Sequence, residues 1–153
     1  MIHDFPPIAL MRHRVFVYGT LLRGEVNHHL LGGAEFLGPH RTDACFTLYD
    51  LGAYPGLSRG GGTAVAGEVY RVGEADMHQL DRLEDYPRLY DRVLIPSPYG
   101  RAWMYVYRGR VKDRTVIRSG DWRTLTRDPD SLMAAVVRAT RDPKNPRWRT
   151  RSH

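Results

Sequence analysis

The run Val15-Phe16-Val17-Tyr18 is the feature that most restricts how this chain can fold. Its β-branched and aromatic side chains leave neither face of an extended segment polar, which is typical of a strand buried on both sides. Gly19 follows directly and ends the run. The sequence therefore predicts a buried first strand with a turn at its carboxyl end.

The rest of the chain is predicted to be mostly β-structure. A short piece over residues 26–31 is expected to be helical or irregular. Further β-branched and aromatic runs predict strands at 36–37, 44–49, 64–72, 90–96 and 102–107. Ser97-Pro98-Tyr99-Gly100 has the residues of a hairpin turn, and the glycine-rich residues 55–63 are predicted to form a loop.

Two segments are predicted to be helices. Residues 74–85 carry acidic residues in the first turn and apolar residues at helical spacing, and Pro87 prevents continuation. Asp128-Pro129 has the residue types of an N-cap and a first helical position, so a second helix is expected over 128–140.

Size and composition indicate one domain. With 153 residues, of which 42% are apolar and 26% charged, the chain can bury one hydrophobic core and has no sign of general disorder. We expect a flexible lead-in over residues 1–13, a single domain over 14–140 and a basic tail over 141–153.

The cysteine and apolar content predict the compartment. Cys45 is the single cysteine, so it cannot form an intramolecular disulfide or supply a structural zinc site by itself. No apolar run approaches the roughly 18 residues that a membrane helix needs. We therefore expect a cytoplasmic protein without a membrane partner.

Much of the net charge of +6 lies at the end of the chain. Prolines at 143 and 146 interrupt this stretch, which is typical of a solvated tail and not of a recognition helix. Nucleic acid is therefore not the expected partner. The residues concerned are the bases Arg138, Arg141, Lys144, Arg147, Arg149 and Arg151, with the single acid Asp142.

Glu84 occupies an unusual place on the first predicted helix. At about 100° per residue it projects between Met77 and Leu80, in the middle of the apolar stripe. Such a carboxylate needs hydrogen-bond partners, a proton or a cavity, and burial would raise its pKa toward that of a general base. The alternative is structural: Glu84 could pair with Arg88 or Arg92, or reach water at a frayed helix end.

The turn after the first strand is a candidate binding element. The segment Tyr18-Gly19-Thr20-Leu21-Leu22-Arg23-Gly24 has glycines near both ends, which allows a sharp turn with unpaired N–H groups. Such groups bind anions and oxyanions. An ordinary glycine-bounded loop remains the alternative, and the segment lacks the Gly-Lys-Ser/Thr end of a P-loop.

Three motifs in a fixed order resemble the γ-glutamyl cyclotransferase-like superfamily. They are the segment from Val15 to Leu21, then Gly67-Glu68-Val69-Tyr70, and then Leu80-Asp81-x-x-Glu84 followed by Tyr90-x-Arg92. Arg23-Gly24 with the nearby Asn27-His28 resembles its γ-glutamylamine cyclotransferase branch in particular. The resemblance spans about residues 14–108.

The resemblance implies an α+β fold, described as a mixed β-barrel flanked by a few helices. A cavity would lie between the turn and the helix that carries Glu84, the position of the family's acid/base. The main chain of Tyr18, Gly19, Thr20 and Leu21 would hold the glutamyl end of the substrate. No metal ion or organic cofactor is implied.

Three further residues are candidates for the pocket wall. Tyr90, Arg92 and Tyr105 could help to close the pocket, although aromatic residues on strands are more often part of a core.

The implied reaction uses the substrate's own nucleophile. In an N-γ-glutamyl compound the α-amino group can attack the γ-carbonyl carbon and close a five-membered ring. Glu84 would accept a proton from that amine and return one to the leaving nitrogen. The products would be 5-oxoproline and a free amine or amino acid.

Other functions remain open from the sequence. They are removal of a γ-glutamyl group from a biosynthetic intermediate, small-ligand binding without catalysis, and nucleic-acid binding that weakens with salt. Gly56-x-Ser58-x-Gly60 fits a nucleophile elbow, but a strand and not a helix is expected after it, so a mobile loop over the pocket is preferred. His28 and His29 are adjacent and do not predict a metal site. The leaving group of the substrate and the oligomeric state are not predicted.

Overall fold

The computed structural model describes residues 11–125. The predicted lead-in up to residue 10, the helix predicted over 128–140 and the basic tail over 141–153 lie outside these residues. No helix within 11–125 is long and apolar enough to cross a membrane. The elements are β1 (His13–Val17), a 3₁₀ turn (His28–Leu31), β2 (Glu35–Arg41), β3 (Phe46–Asp50), β4 (Pro55–Arg59), β5 (Ala66–Val72), α1 (Glu74–Leu83), β6 (Tyr90–Ile95), β7 (Ala102–Tyr107), β8 (Thr115–Val116) and a second 3₁₀ turn (Trp122–Thr124).

The larger sheet has five strands in the order β2-β5-β1-β7-β6. Its central strand, β1, runs antiparallel to β5 and parallel to β7, with Val15 opposite Tyr70 on one side and Trp103 on the other. Because β1 has a partner on both edges and lies in the middle of the sheet, its carboxyl end is held firmly. The turn at residues 18–22 starts from this position.

The burial predicted for both faces of β1 is confirmed. Val15 and Val17 belong to a cluster of buried side chains that includes Met77 of α1. Phe16 points the other way, into a second cluster that includes Leu48 of β3. The alternation of side chains along a strand thus places two separate parts of the core on either side of β1.

The second sheet has three strands in the order β4-β3-β8 and packs against β7 of the first. The predicted loop over 55–63 is wrong in its first half, because Pro55–Arg59 forms β4 and pairs with β3. Gly56 belongs there because of close packing: a Cβ atom would lie 2.7 Å from Leu51 Cδ1 and 3.0 Å from Tyr107 Cγ.

The predicted α+β class is confirmed by mixed sheets combined with a helix. The predicted barrel is only loosely realised, because among residues 11–125 the strands divide into a five-stranded and a three-stranded sheet and do not close into one cylinder. The pocket described below lies where these two sheets and the helix meet.

The helix α1 ends in a Schellman motif two residues before the predicted end. Asp85 has a left-handed backbone, with φ of 53°, and its N–H donates to the carbonyl of Arg82 at 3.2 Å. The N–H of Tyr86 donates to the carbonyl of Asp81 at 2.9 Å. Glu84 is the last residue before this reversal and keeps a helical backbone.

Candidate active site

A pocket opens where the end of β1 approaches the end of α1. It encloses about 90 Å³ and is partly open to solvent. The β3–β4 turn and the adjoining ends of β6 and β7 complete its wall. Its lining residues are Phe16, Val17, Tyr18, Gly19, Thr20, Leu21, Val26, Asn27, Ala53, Tyr54, Pro55, Leu83, Glu84, Leu89, Tyr90 and Tyr105.

Most of the site residues predicted from the sequence meet in this pocket. Seven of the eight line it, and Arg92 is the exception. The seven come from β1 and its turn, from the end of α1, and from β6 and β7. They are Tyr18, Gly19, Thr20, Leu21, Glu84, Tyr90 and Tyr105.

The carboxylate of Glu84 is enclosed by the protein but keeps access to the pocket. Its own N–H continues the helix by donating to the carbonyl of Leu80 at 3.0 Å. Among residues 11–125, none forms a hydrogen bond or an ion pair with its side chain. Burial therefore raises the pKa of Glu84 from 4.5 to about 7.

The two arginines that could have neutralised Glu84 are paired with other carboxylates. Arg88 is exposed and lies 3.9 Å from Asp85 Oδ1. Arg92 Nε lies 3.3 Å from Asp81 Oδ1, although without the alignment of a hydrogen bond. The ion pairs proposed as a structural explanation of Glu84 are therefore not formed.

The turn after β1 is closed by its own hydrogen bonds. The N–H of Leu22 donates to the carbonyl of Gly19 at 3.1 Å, and the N–H of Asn27 donates to the carbonyl of Thr20 at 2.8 Å. The side chain of Asn27 also donates to Thr20 Oγ1 at 3.0 Å. Within the described chain, the N–H groups of Thr20 and Leu21 have no acceptor, and both residues line the pocket.

Gly19 permits the close approach of the turn to the second sheet. A Cβ atom at this position would lie 2.7 Å from both Cγ and Cδ of Pro55. The proline ring cannot rotate away as the end of a flexible side chain can. The absence of a side chain at Gly19 therefore lets two walls of the pocket come into contact.

Two tyrosines of the pocket, Tyr18 and Tyr90, donate their hydroxyl protons to main-chain carbonyls and not to Glu84. Tyr18 donates to the carbonyl of Tyr105 at 2.7 Å, and Tyr90 donates to the carbonyl of Pro55 at 2.8 Å. Burial, followed by the nearby charge of Glu84, raises the pKa of both phenols well above 10.0. Both are thus neutral, and neither donates a hydrogen bond that would lower the pKa of Glu84.

Arg92 lies behind the pocket wall. Its guanidinium group is 4.7 Å from the ring centre of Tyr86 and 4.4 Å from that of Trp103. Its partner Asp81 accepts a hydrogen bond of 2.8 Å from the Tyr105 hydroxyl. Arg92 therefore reaches the pocket only through Asp81 and Tyr105.

Several lining residues were not among the sequence candidates. Ala53 and Tyr54 belong to the β3–β4 turn and Pro55 is the first residue of β4, and their place in the wall depends on how the two sheets pack. Asn27 had a sequence signal, because it is part of the motif Arg23-Gly24 with Asn27-His28, but that motif does not by itself assign a role.

The arrangement can combine proton transfer with binding of negative charge. Glu84 has a pKa near neutrality, so it can both accept and return a proton. The free N–H groups of Thr20 and Leu21 can bind a carboxylate or a developing oxyanion. Within residues 11–125, the lining includes no lysine, arginine or histidine beside Glu84.

Sequence comparison identifies relatives of this chain among known proteins. The Escherichia coli K12 protein named γ-glutamylcyclotransferase family protein YtfP is 47% identical over 115 residues, 75% of this chain and 98% of that protein. Human γ-glutamylaminecyclotransferase is 41% identical over 90 residues, 53% of this chain and 59% of its own.

The fold is similar to that of a solved relative. The solution NMR structure of protein ytfP from Escherichia coli has a TM-score of 0.59 and 46% identity, covering 71% of this chain and 95% of that one. The family model "Gamma-glutamyl cyclotransferase, AIG2-like" matches residues 15–124, which include the whole pocket lining. This chain therefore belongs to the γ-glutamyl cyclotransferase, AIG2-like family.

Proposed function

We propose that the protein releases 5-oxoproline and a free amine or amino acid from an N-γ-glutamyl compound, with Glu84 as general acid and base. The observation that carries this proposal is the carboxylate of Glu84, enclosed in a pocket without a counter-charge and with a pKa of about 7. The name of the human relative, γ-glutamylaminecyclotransferase, supports amines among the leaving groups.

The reaction needs no nucleophile from the protein. The α-amino nitrogen of the substrate attacks the γ-carbonyl carbon and forms the new C–N bond of a five-membered ring. Glu84 accepts a proton from this nitrogen and transfers one to the leaving nitrogen as the old C–N bond breaks. Atoms balance without water, because the proton lost by the α-amine is the one gained by the leaving amine.

The turn after β1 would orient the substrate for this attack. Thr20 and Leu21 offer main-chain N–H groups, which suit either the α-carboxylate or the oxyanion that develops on the γ-carbonyl. Holding the glutamyl part in a folded conformation brings the amine close to the carbonyl carbon. The close contact of Gly19 with Pro55 supports a defined position for these donors.

The proposal predicts that activity depends on the ionised form of Glu84. A panel of γ-glutamyl amines and dipeptides should yield 5-oxoproline, and kcat/KM should rise with pH through about 7. Glu84→Gln should lower kcat by about 10²- to 10⁴-fold, because the amide cannot accept the proton. Chromatographic detection of 5-oxoproline measures both effects.

Glu74→Gln is the matched control. Glu74 lies on the same helix but is exposed, with Oε2 2.6 Å from His13 Nε2 at the surface. Its removal should leave kcat unchanged. Full activity of Glu84→Gln, or no 5-oxoproline from any member of the panel with folded wild-type protein, would contradict the proposed function.

A further inference from the structure

Glu68 is a charged side chain buried outside the pocket. It lies in β5 with 6% of its surface exposed, opposite Val17, the last residue of β1. A carboxylate at this depth is costly unless it is held by donors. The proposed reaction gives Glu68 no part, since it does not line the pocket.

The contacts of Glu68 tie it to the turn that forms the pocket wall. Its Oε1 accepts the main-chain N–H of Arg23 at 3.0 Å and the hydroxyl of Tyr70 at 3.1 Å. Its Oε2 lies 3.9 Å from Nη1 of Arg123. One buried carboxylate thus joins the end of the turn to β5 and to the last described segment of the chain.

Residues 121–123 also contact the loop that follows the turn after β1. Trp122 is 3% exposed, and its Nε1 donates to Glu25 Oε1 at 3.0 Å. Arg123 is held in place by Asp121, whose two carboxylate oxygens accept hydrogen bonds of 2.9 and 3.1 Å. The segment Asp121–Trp122–Arg123 lies outside the three family motifs, and these contacts connect it to Glu25, just after the turn, and to Glu68.

We propose that Glu68 is a positioning residue for the substrate-binding N–H groups of Thr20 and Leu21. The proposal rests on the proposed function, in which those groups bind the glutamyl part. Only one residue separates Leu21 from Arg23, so fixing the Arg23 N–H restricts where the two donors can point. Trp122 and Arg123 support this arrangement by holding the loop at Glu25 and the carboxylate of Glu68.

The kinetic test compares three variants with the wild-type enzyme. Glu68→Ala should raise KM for a γ-glutamyl substrate about tenfold, with kcat and the pH midpoint set by Glu84 nearly unchanged. Glu68→Gln should restore KM, because its amide oxygen still accepts from Arg23 and Tyr70. Thr42→Ala is the matched control, since Thr42 is equally buried and its Oγ1 accepts the N–H of Val65 at 2.9 Å.

The expected control result is a wild-type KM for Thr42→Ala, even where stability falls. The proposal is overturned if the KM of Glu68→Ala is no higher than that of Thr42→Ala. It is also overturned if the KM of Glu68→Gln is as high as that of Glu68→Ala. A changed pH midpoint would also overturn it, because Glu68 would then act on the chemistry. If Glu68→Ala does not fold, Trp122→Phe tests the same loop and should raise KM in the same direction.

Amide hydrogen exchange separates this proposal from the proposed function. The Arg23 amide should exchange about tenfold faster in Glu68→Ala than in wild-type protein, and at the wild-type rate in Glu68→Gln and Thr42→Ala. This readout needs no substrate, so it still decides the positioning if no 5-oxoproline is detected. Equal exchange at Arg23 in Glu68→Ala and wild-type protein would overturn it.

Discussion

At the scale of the single residue, Glu84 has a cost to stability as well as a role in the proposed reaction. Its pKa is about 7 in the folded protein and 4.5 as the ordinary value, so the folded state binds the proton more tightly. Below pH 4.5 the group is protonated in both states. Between pH 4.5 and 7 the unfolded state ionises first, and the free energy of unfolding falls as pH rises.

This linkage predicts that removing the charge stabilises the protein in alkaline solution. Glu84→Gln should increase the free energy of unfolding at pH 8 by on the order of 2 kcal/mol, a value reduced from the full shift because the pocket admits water. At pH 4 the difference should vanish. Urea denaturation of both proteins across this pH range measures it.

Glu74→Gln again serves as a control. Unlike Glu84→Gln, it should not increase the free energy of unfolding as pH rises. A hydrogen bond from His13 lowers the pKa of Glu74, so its ionised form favours folding and its removal should not stabilise the protein. A stability difference between Glu84→Gln and wild-type protein that stays constant from pH 4 to pH 8 would contradict the raised pKa.

At the scale of the element, the end of α1 determines where Glu84 points. The helical repeat places Glu84 in the apolar stripe. The Schellman motif then fixes the backbone of Glu84 as the last helical residue. That motif requires a left-handed residue at position 85, which is usually glycine and here is Asp85. Aspartate adopts this conformation more readily than most residues.

Substitutions at Asp85 should therefore affect both stability and catalysis through the backbone. Asp85→Val should lower the free energy of unfolding by about 1–2 kcal/mol relative to Asp85→Gly, because a β-branched residue is strained at φ of 53°. It should also reduce kcat/KM, since Glu84 shifts when the helix end rearranges. Denaturation and 5-oxoproline release measure the two effects.

Comparison with Asp85→Gly isolates the backbone effect. Both variants lose the same side chain, including its contact with the exposed Arg88, whereas glycine accepts the left-handed conformation without strain. Equal stability and equal kcat/KM of the two variants would show that the Schellman motif does not position Glu84.

At the scale of the whole molecule, the pocket is assembled from segments distant in sequence. The turn after β1, the β3–β4 turn, the end of α1 and strands β6 and β7 each contribute to its lining. All of them lie within residues 15–124, the range of the family match. The basic residues 141–153 lie outside this range.

Deletion of residues 141–153 should therefore leave the cyclotransferase activity intact. It removes five basic residues and one acidic residue, which lowers the net charge from +6 to +2. We expect kcat/KM for a γ-glutamyl amine to change by no more than about twofold, because long-range steering of a small substrate by a distant charge is screened by salt. Steady-state kinetics at physiological ionic strength measures it.

A loss of activity on deletion of residues 141–153 would indicate that the basic tail takes part in the function. Loss of activity on deletion, with Glu84→Gln still active, would point to the alternative in which basic residues bind nucleic acid. Binding of that kind should weaken steeply with increasing salt, whereas cyclisation of a small substrate should not.

The sequence by itself determined the buried first strand, the turn after it and the position of Glu84 within an apolar stripe. These features depend on local periodicity and residue type, which act over a few neighbouring residues. The ordered motifs also indicated the family, because the order and spacing of several motifs carry more information than each motif alone. The sequence did not exclude an ion pair between Glu84 and Arg88 or Arg92.

Only the tertiary structure decided whether Glu84 forms an ion pair with an arginine, and what shape the pocket has. Arg92 pairs with Asp81 because the pairing of β6 and β7 brings it beside Trp103 and not beside Glu84. Pro55 reaches Gly19 because the second sheet packs on the first, and hydrogen bonding to β3 makes residues 55–59 of the glycine-rich segment a strand. Contacts between residues far apart in the chain depend on how layers pack, which local patterns do not encode.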